Sequence, residues 1–415
     1  MSVNTLSWGL CAPGAVISVR RRRTLKISET VARFNQLAVP GLGGVWFGRQ
    51  LIMALQGVAI ATETGERFSN IEVANAIEAL SCWKGFKQPS ARNGDRRLRG
   101  IRKIKSLEAE SIIFRAARKK AFYVTIPMRM ATLEALPALG LVQPQRSFNA
   151  FQCTPLGEQL ARVEPKQRDL LTHWVKSGGA PPASLVSPLT PLPRTARRLI
   201  RTQLQYAGNE QSRQRRSAAL QWVERLRQHP PASLSWQDRP GEISADHWHD
   251  LQAGAFFTRT RHSAIALLET IEQEMAQRSS GPQFALNQTF STVVQQALKT
   301  LKRNARGFLD LQHGDNDANQ FCSECSGEAV AVLRALVSRD GHILQLNGEH
   351  IEPGAAFKAT GLPAGRQPEE QDDLPPVADG FWPADISGRI PNLFLLNLDL
   401  HGELNAWLSK AVSNG

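Results

Sequence analysis

The chain has 415 residues, 42% of them apolar and 21% charged, which is enough for two or three domains that each bury a core. Fifty Lys+Arg against 37 Asp+Glu give a formal net charge of +13, which favours polyanionic partners. Five cysteines (Cys11, Cys82, Cys153, Cys322 and Cys325) without even spacing argue against a disulfide framework and for a reducing, cytoplasmic setting.

No secretory signal is expected, because Arg20, Arg21, Arg22 and Arg23 follow the first apolar stretch instead of preceding one. Residues 37–61 are apolar enough to raise a membrane span, but they carry Arg49, Gln50, Gln56 and Pro40, so a buried helix and no membrane contact are predicted. The charge is uneven along the chain. Residues 1–228 hold 36 Lys+Arg against 14 Asp+Glu, and residues 229–415 hold 14 against 23. A half at +22 beside a half at −9 suggests one surface for a polyanion and another for a protein partner.

In chain order, a helix is predicted from Ser28, with Val31, Phe34 and Leu37 on one face, and after Pro40-Gly41 an apolar helix follows over residues 45–61. Ser69 is placed to cap a helix over 70–83 with Ile71, Val73, Ala74, Ile77 and Leu80 apolar. A basic run, Arg92, Arg96, Arg97, Arg99, Arg102, Lys103 and Lys105, leads into a predicted helix over 106–122 that adds Arg115, Arg118, Lys119 and Lys120. A short helix over 167–176 precedes residues 177–193, whose prolines and paired glycines read as a linker. Basic helices fill 194–227 and end at His229-Pro230-Pro231.

The acidic half reads as helical over 245–277, 289–308 and 324–338. Asp340-Gly341 and Asn347-Gly348 lie among short apolar runs and suit one β-hairpin over 339–351. Residues 363–376, with Glu369, Glu370, Asp372 and Asp373, read as a solvated loop, and 390–408 as a terminal helix or a strand followed by a helix. The expected fold class is therefore mainly α and multi-domain. The expected domains are a basic region 1–176, a linker 177–193, a basic helical connector 194–228 and an acidic helical domain 232–415.

Within residues 124–163, Met130, Leu133, Leu136 and Leu139 recur every three residues behind Pro127, Gly140 can take a left-handed cap, and Leu141-Val142 begins a strand. A polar interval with Gln145, Arg146, Ser147 and Asn149 at its tip then leads to Thr154-Pro155-Leu156-Gly157. This order resembles the second half of a winged helix-turn-helix, over about forty residues, or over 70–163 if the helices starting near Ile71 and Ser106 complete the domain. The resemblance implies a recognition helix with Arg129, Thr132 and Glu134 outward, a wing over 141–154, and contact with DNA. Pro137 inside the recognition helix predicts a kink or an early end. The sparse outward set predicts contact with the phosphate backbone more than base reading.

Arg194, Arg197, Arg198 and Arg201 share one helical face, and with Arg213, Arg215, Arg216 and the run from Arg92 they could line a phosphate track. The expected nucleic-acid contacts are thus Arg92, Arg96, Arg97, Arg99, Arg102, Lys103, Arg129, Arg146, Arg194, Arg197, Arg198 and Arg201. Cys322-x-x-Cys325 has zinc-ligand spacing, with His313, His342 or His350 able to complete a site, although two buried or merely adjacent thiols explain it better, since no second Cys-x-x-Cys exists. His247-x-His249 and the carboxylates Asp310, Asp315 and Asp317 are weaker metal candidates. The sequence contains no Gly-x-x-x-x-Gly-Lys loop, Gly-x-Ser-x-Gly elbow or His-Glu-x-x-His motif, and Gly41-Leu42-Gly43-Gly44 lacks the lysine of a phosphate loop.

These features together predict a non-catalytic DNA-binding subunit of a bacterial DNA-acting assembly, with anti-phage defence as one setting. A metal-dependent nuclease and a structural adaptor for an acidic protein are the competing classes.

Overall fold

A computed structural model describes residues 23–65, 67–89, 91, 94–278, 281–357 and 381–413. Arg92, Cys11 and the acidic residues 369–373 lie outside the described residues. The fold is mainly helical with one small antiparallel sheet.

Helices α1 (Ser28–Ala38), α2 (Arg49–Glu63) and α3 (Asn70–Phe86) come first. Every residue of α2 from Arg49 to Ala61 is buried, which is the pattern of a helix at the centre of a core. Its buried Arg49 pairs with Glu164 and donates to the carbonyls of Thr190 and Pro191. Gly57 lets α2 approach α3 closely, because a Cβ there would lie 2.5 Å from the Ala74 Cβ. Among the described residues no helix is long and apolar enough to cross a membrane.

The helix expected over 106–122 does not form. Only α4 (Ile101–Ile104), a 3₁₀ turn at Ala109–Ser111 and α5 (Phe114–Ala117) are helical. Two side chains of α3 take carbonyls that such a helix would need. Trp83 Nε1 donates to Leu107 O at 2.8 Å, and Asn75 Nδ2 donates to Ala117 O and Lys119 O at 3.1 and 2.7 Å.

The expected recognition helix is two pieces, a 3₁₀ turn at Met128–Ala131 and α6 (Ala135–Ala138), which contains Pro137. Gly140 takes the left-handed conformation, with φ +68°. Val142 and Cys153 then form one antiparallel bridge, extended by Gln143 N–H to Gln152 O at 2.9 Å and Thr154 N–H to Leu141 O at 3.1 Å. Thr154 caps α7 (Pro155–Ala161) by accepting from Gly157 N–H at 3.1 Å. A Cβ at Gly157 would sit 1.9 Å from Leu141 O, so glycine is required there.

Helix α8 (Pro165–Ser177) is followed by the proline-rich stretch, in which Ser187, Leu189 and Leu192 are buried. Next come α9 (Arg194–Tyr206), α10 (Glu210–Gln228), α11 (Ala245–Gln277), α12 (Thr292–Leu309), α13 (Asn316–Ser326) and α14 (Ala329–Asp340). The sheet has the order β1 (Phe284–Ala285), β3 (His350–Pro353), β2 (Leu344–Asn347), with Leu346 and Phe284 both opposite Ile351. The turn between β2 and β3 uses Gly348 at φ +57°, whereas Gly341 ends α14 in a left-handed cap. Two helices, α15 (Arg389–His401) and α16 (Leu404–Ser413), close the chain across a left-handed Gly402.

Two compact units result. The larger comprises Glu29–Arg259, Gly307–Asp315 and Arg366–Gly415, and the smaller Met1–Ser28, Thr260–Arg306 and Asn316–Gly365. The proline-rich residues 177–193 lie inside the larger unit. The larger core is built on α2, α3, α10 and α15, with Trp46, Trp174 and Trp222 fully buried. The smaller packs Leu267, Ile271, Leu298, Phe321, Leu333 and Ile351 inside. In the smaller unit Arg23 is buried against Glu272 at 2.9 Å and Asp340 at 3.3 Å.

Candidate nucleic-acid interface

Helix α3 is the scaffold on which the basic segment is laid. It starts with the expected Ser69 cap, extended to a capping box in which Glu72 accepts from Ser69 N–H at 3.0 Å. Glu72, Asn75, Glu78 and Cys82 follow at three- and four-residue spacing and so line one face. Each of them holds part of the chain between residues 99 and 129.

Glu72 accepts from Arg118 at 2.6 Å, and Cys82 Sγ accepts from Arg99 N–H at 3.5 Å. Asn75, besides its two carbonyl partners, accepts from Arg129 Nη1 at 3.2 Å. Glu78 accepts from Arg129 N–H at 2.9 Å and from the Tyr123 hydroxyl. Burial pushes the Glu78 carboxyl above its ordinary range, against the opposing pull of Arg129, Tyr123 and Arg99. Burial and the Glu78 charge together push the Tyr123 hydroxyl well up.

The segment itself is an irregular ribbon. Gly100, at φ +84°, abuts Tyr123, since a Cβ there would lie 2.7 Å from the Tyr123 carbonyl oxygen. Lys103 Nζ donates to Ala121 O at 3.3 Å. Helix α4 and the turn at 119–121 are thereby side by side. Arg102, Arg115, Lys119 and Lys120 are exposed and make no ion pair among the described residues.

The predicted contacts divide sharply. Arg97 is buried and pairs with Asp95 at 2.6 Å, and Arg99 is buried with its guanidinium on Ile126 O at 3.0 Å. Arg129 is buried on Asn75, Thr132 is fully buried, and Glu134 accepts from Arg389 at 2.7 Å, so the outward face expected of a recognition helix is not formed. Arg129, Thr132 and Glu134 are taken up within the chain, because the helix that would have displayed them is broken into two pieces. Arg96 and Lys103 are half-buried, whereas Arg102, Arg146, Arg194 and Arg198 are exposed. Arg146 sits at the tip of the hairpin that Asn70 Nδ2 ties down by donating to Phe148 O and Phe151 O at 2.9 and 2.8 Å.

The track expected from Arg194 to Arg216 is broken in the same way. Arg197 Nε donates to Leu192 O at 2.9 Å and Arg201 contacts His401. Arg213 pairs with Glu210, Arg215 pairs with Asp250 at 2.5 Å, and Arg216 is buried on the Leu204 and Pro40 carbonyls at 2.6 and 3.0 Å. Arg216 thus satisfies carbonyls at the end of α9 and is withdrawn from solvent.

The metal candidates do not converge on one site among the described residues. Cys322 and Cys325 are fully buried, and burial pushes the Cys322 thiol up to about 12 and the Cys325 thiol further still, so without a metal both are neutral thiols. His313 donates to Asp250 at 3.0 Å, while His342 and His350 are exposed. His247 faces Ala38 O and His249 faces Leu311 O, both at 2.9 Å, so the pair does not converge. Asp315 pairs with Arg33 at 2.8 Å. Among the described residues no three His, Cys, Asp or Glu side chains are grouped to hold a metal.

No protein-family model matches the chain, and no curated protein or solved structure does so either.

Proposed function

We propose that the chain is a non-catalytic DNA-binding subunit that grips the phosphate backbone with little regard for sequence, and that the ribbon over residues 102–120 is its principal contact. One observation carries this reading: Arg102, Arg115, Lys119 and Lys120 are exposed, lack an acidic partner among the described residues, and stand on backbone held by Asn75 and Trp83. A pre-ordered cationic ribbon does not have to be immobilised when it binds. Phosphate contacts supply affinity without base information, which suits a surface whose arginines are spread along a ribbon and not aimed from one helix. Arg146, Arg194 and Arg198 extend the exposed set. The bridge at Val142 and Cys153 and the Thr154 cap support a winged-helix-like reading of the neighbouring segment. The excess of acids after residue 229 supports a protein partner for the other half, as in a multiprotein DNA-acting system.

The test is binding of the full chain to a random-sequence duplex, followed by electrophoretic shift across a salt series. We expect binding at low salt that weakens steeply with added salt. Replacing Arg102, Arg115, Lys119 and Lys120 by Gln should lower affinity at least tenfold and reduce the salt slope by up to about 3.6, at roughly 0.9 for each phosphate that is no longer neutralised. No shift at low salt, affinity indifferent to salt, or a variant that binds like the wild type would each overturn the proposal.

A further inference from the structure

Helix α12 carries Lys299, Lys302, Arg303 and Arg306, spaced so that all four fall on one side of the helix. The opposite side buries Val294, Leu298, Leu301, Ala305 and Phe308. The helix contains no acidic residue, and none occurs anywhere between Glu274 and Asp310. Lys299, Arg303 and Arg306 are exposed and Lys302 is half-buried. None of the four makes an ion pair or a side-chain hydrogen bond among the described residues. Elsewhere in the same unit, by contrast, Arg23, Arg334 and Arg339 each hold a carboxylate, at 2.9, 2.7 and 2.7 Å.

This arrangement works against the helix on its own. Lys299 faces Lys302 and Arg303 across one turn, and Arg306 faces the same two residues, so four like-charged neighbours repel with nothing in the described chain to offset them. The concentration is also local. It occurs within a half of the sequence that has 23 acidic residues against 14 basic ones. A surface helix that merely needs solvation mixes both signs.

We propose that this face of α12 binds the phosphate backbone of a nucleic-acid duplex, as a contact additional to the ribbon. The inference rests on the reading of the chain as a DNA-binding protein. Lys299 to Arg306 spans about 10 Å of helix axis, enough to follow roughly three steps of one strand at about 3.4 Å each. A membrane surface is disfavoured as the occupant, because an interfacial helix must insert its apolar face and that face is already in the core.

The experiment measures fluorescence anisotropy of a labelled 30-bp random duplex, an arbitrary length of about three helical turns, with the full chain over a salt series. It compares wild type, an α12 variant (Lys299→Gln, Lys302→Gln, Arg303→Gln, Arg306→Gln) and the ribbon variant described above. The α12 variant should bind at least fivefold more weakly at low salt and lose up to about 3.6 from the salt slope, at roughly 0.9 for each phosphate contact. Lys299→Arg with Arg303→Lys, which keeps the charge, should behave as wild type. Lys299, Arg303 and Arg306 are exposed, Lys302 is half-buried and carries no partner among the described residues, and Gln is a good helix former, so circular dichroism should be unchanged.

An α12 variant with wild-type affinity and slope overturns the inference, and if the ribbon variant is then weakened the proposed function stands. Loss in the α12 variant with none in the ribbon variant supports α12 and overturns the ribbon. A wild type that does not bind overturns both. Displacement of the duplex by polyglutamate as readily as by unlabelled duplex at equal charge would reassign the face to an acidic polypeptide and overturn the inference.

Discussion

The hydroxyl of Tyr123 donates to the carboxylate of Glu78, and both side chains are fully removed from solvent. Burial raises the Glu78 pKa above its ordinary value of 4.5, so in the folded protein this acid holds its proton to a higher pH than in the unfolded chain. Folding then binds a proton between those two values, and stability contributed by this group is full below about pH 4.5 and lost as pH rises through the folded pKa. Glu78→Gln keeps an acceptor for Arg129 N–H and removes the titration. Relative to wild type, the variant should therefore gain stability between pH 4 and pH 7, values chosen to bracket that ordinary range, as read by urea denaturation at each pH. A difference that stays flat, or runs the other way, would show that Glu78 does not titrate upward.

Asn75 binds the ribbon at three points, and its removal exposes what they are worth. Asn75→Ala would leave the Ala117 and Lys119 carbonyls and an Arg129 N–H without their present partner in a site 1% exposed. Buried groups left unsatisfied cost about 1–3 kcal/mol each, so a loss of at least about 2 kcal/mol is expected. Amide exchange should quicken at residues 117–123 before it does in α2. A variant within about 0.5 kcal/mol of wild type would mean that the ribbon is held by its apolar contacts alone.

The parts of this fold that a reader of the sequence could find are the parts fixed locally. Ser69 announces α3, the cations of α9 and α10 lie on regular helices, and α11 has the expected bounds, because caps and apolar periodicity act over a few residues. The ribbon was hidden, since the side chains that stop it from becoming a helix, Asn75 and Trp83, lie more than twenty residues upstream. The buried arginines were hidden for a related reason. Arg97 and Arg99 lie in the same basic run as Arg102, and only the folded partners Asp95 and Ile126 separate them from it, while Arg129 is taken up by Asn75. The α12 face was concealed by averaging, because a half with a net charge of −9 draws attention to its acids.

Cys322 and Cys325 sit one turn apart on α13 with no exposed surface, and burial keeps both as thiols at neutral pH. The thiolate is the reactive form, so neither should be alkylated in the folded protein at pH 8, a test pH near the ordinary thiol pKa of about 8.5. Iodoacetamide labelling followed by peptide mass spectrometry should find both unmodified until denaturant is added. Prompt labelling of either under native conditions, or zinc retained after dialysis against a chelator and lost on Cys322→Ser, would contradict the buried-thiol assignment.

Gly57 tests the centre of the larger unit. In an open helix, Gly→Ala gains about 0.5–1 kcal/mol, because alanine loses less backbone freedom on folding. Here the new methyl would lie 2.5 Å from the Ala74 Cβ and 2.7 Å from its Cα, and α3 cannot withdraw without loosening the buried contacts along both helices. Overpacking of this kind costs about 1–3 kcal/mol, so the collision outweighs the propensity gain and Gly57→Ala should be destabilised by about 1–2 kcal/mol. Adding Ala74→Gly removes one of the colliding carbons and should restore part of the midpoint in urea. If Gly57→Ala alone raised the midpoint, the close approach of α2 and α3 would be disproved, and with it the support that α3 gives to the ribbon.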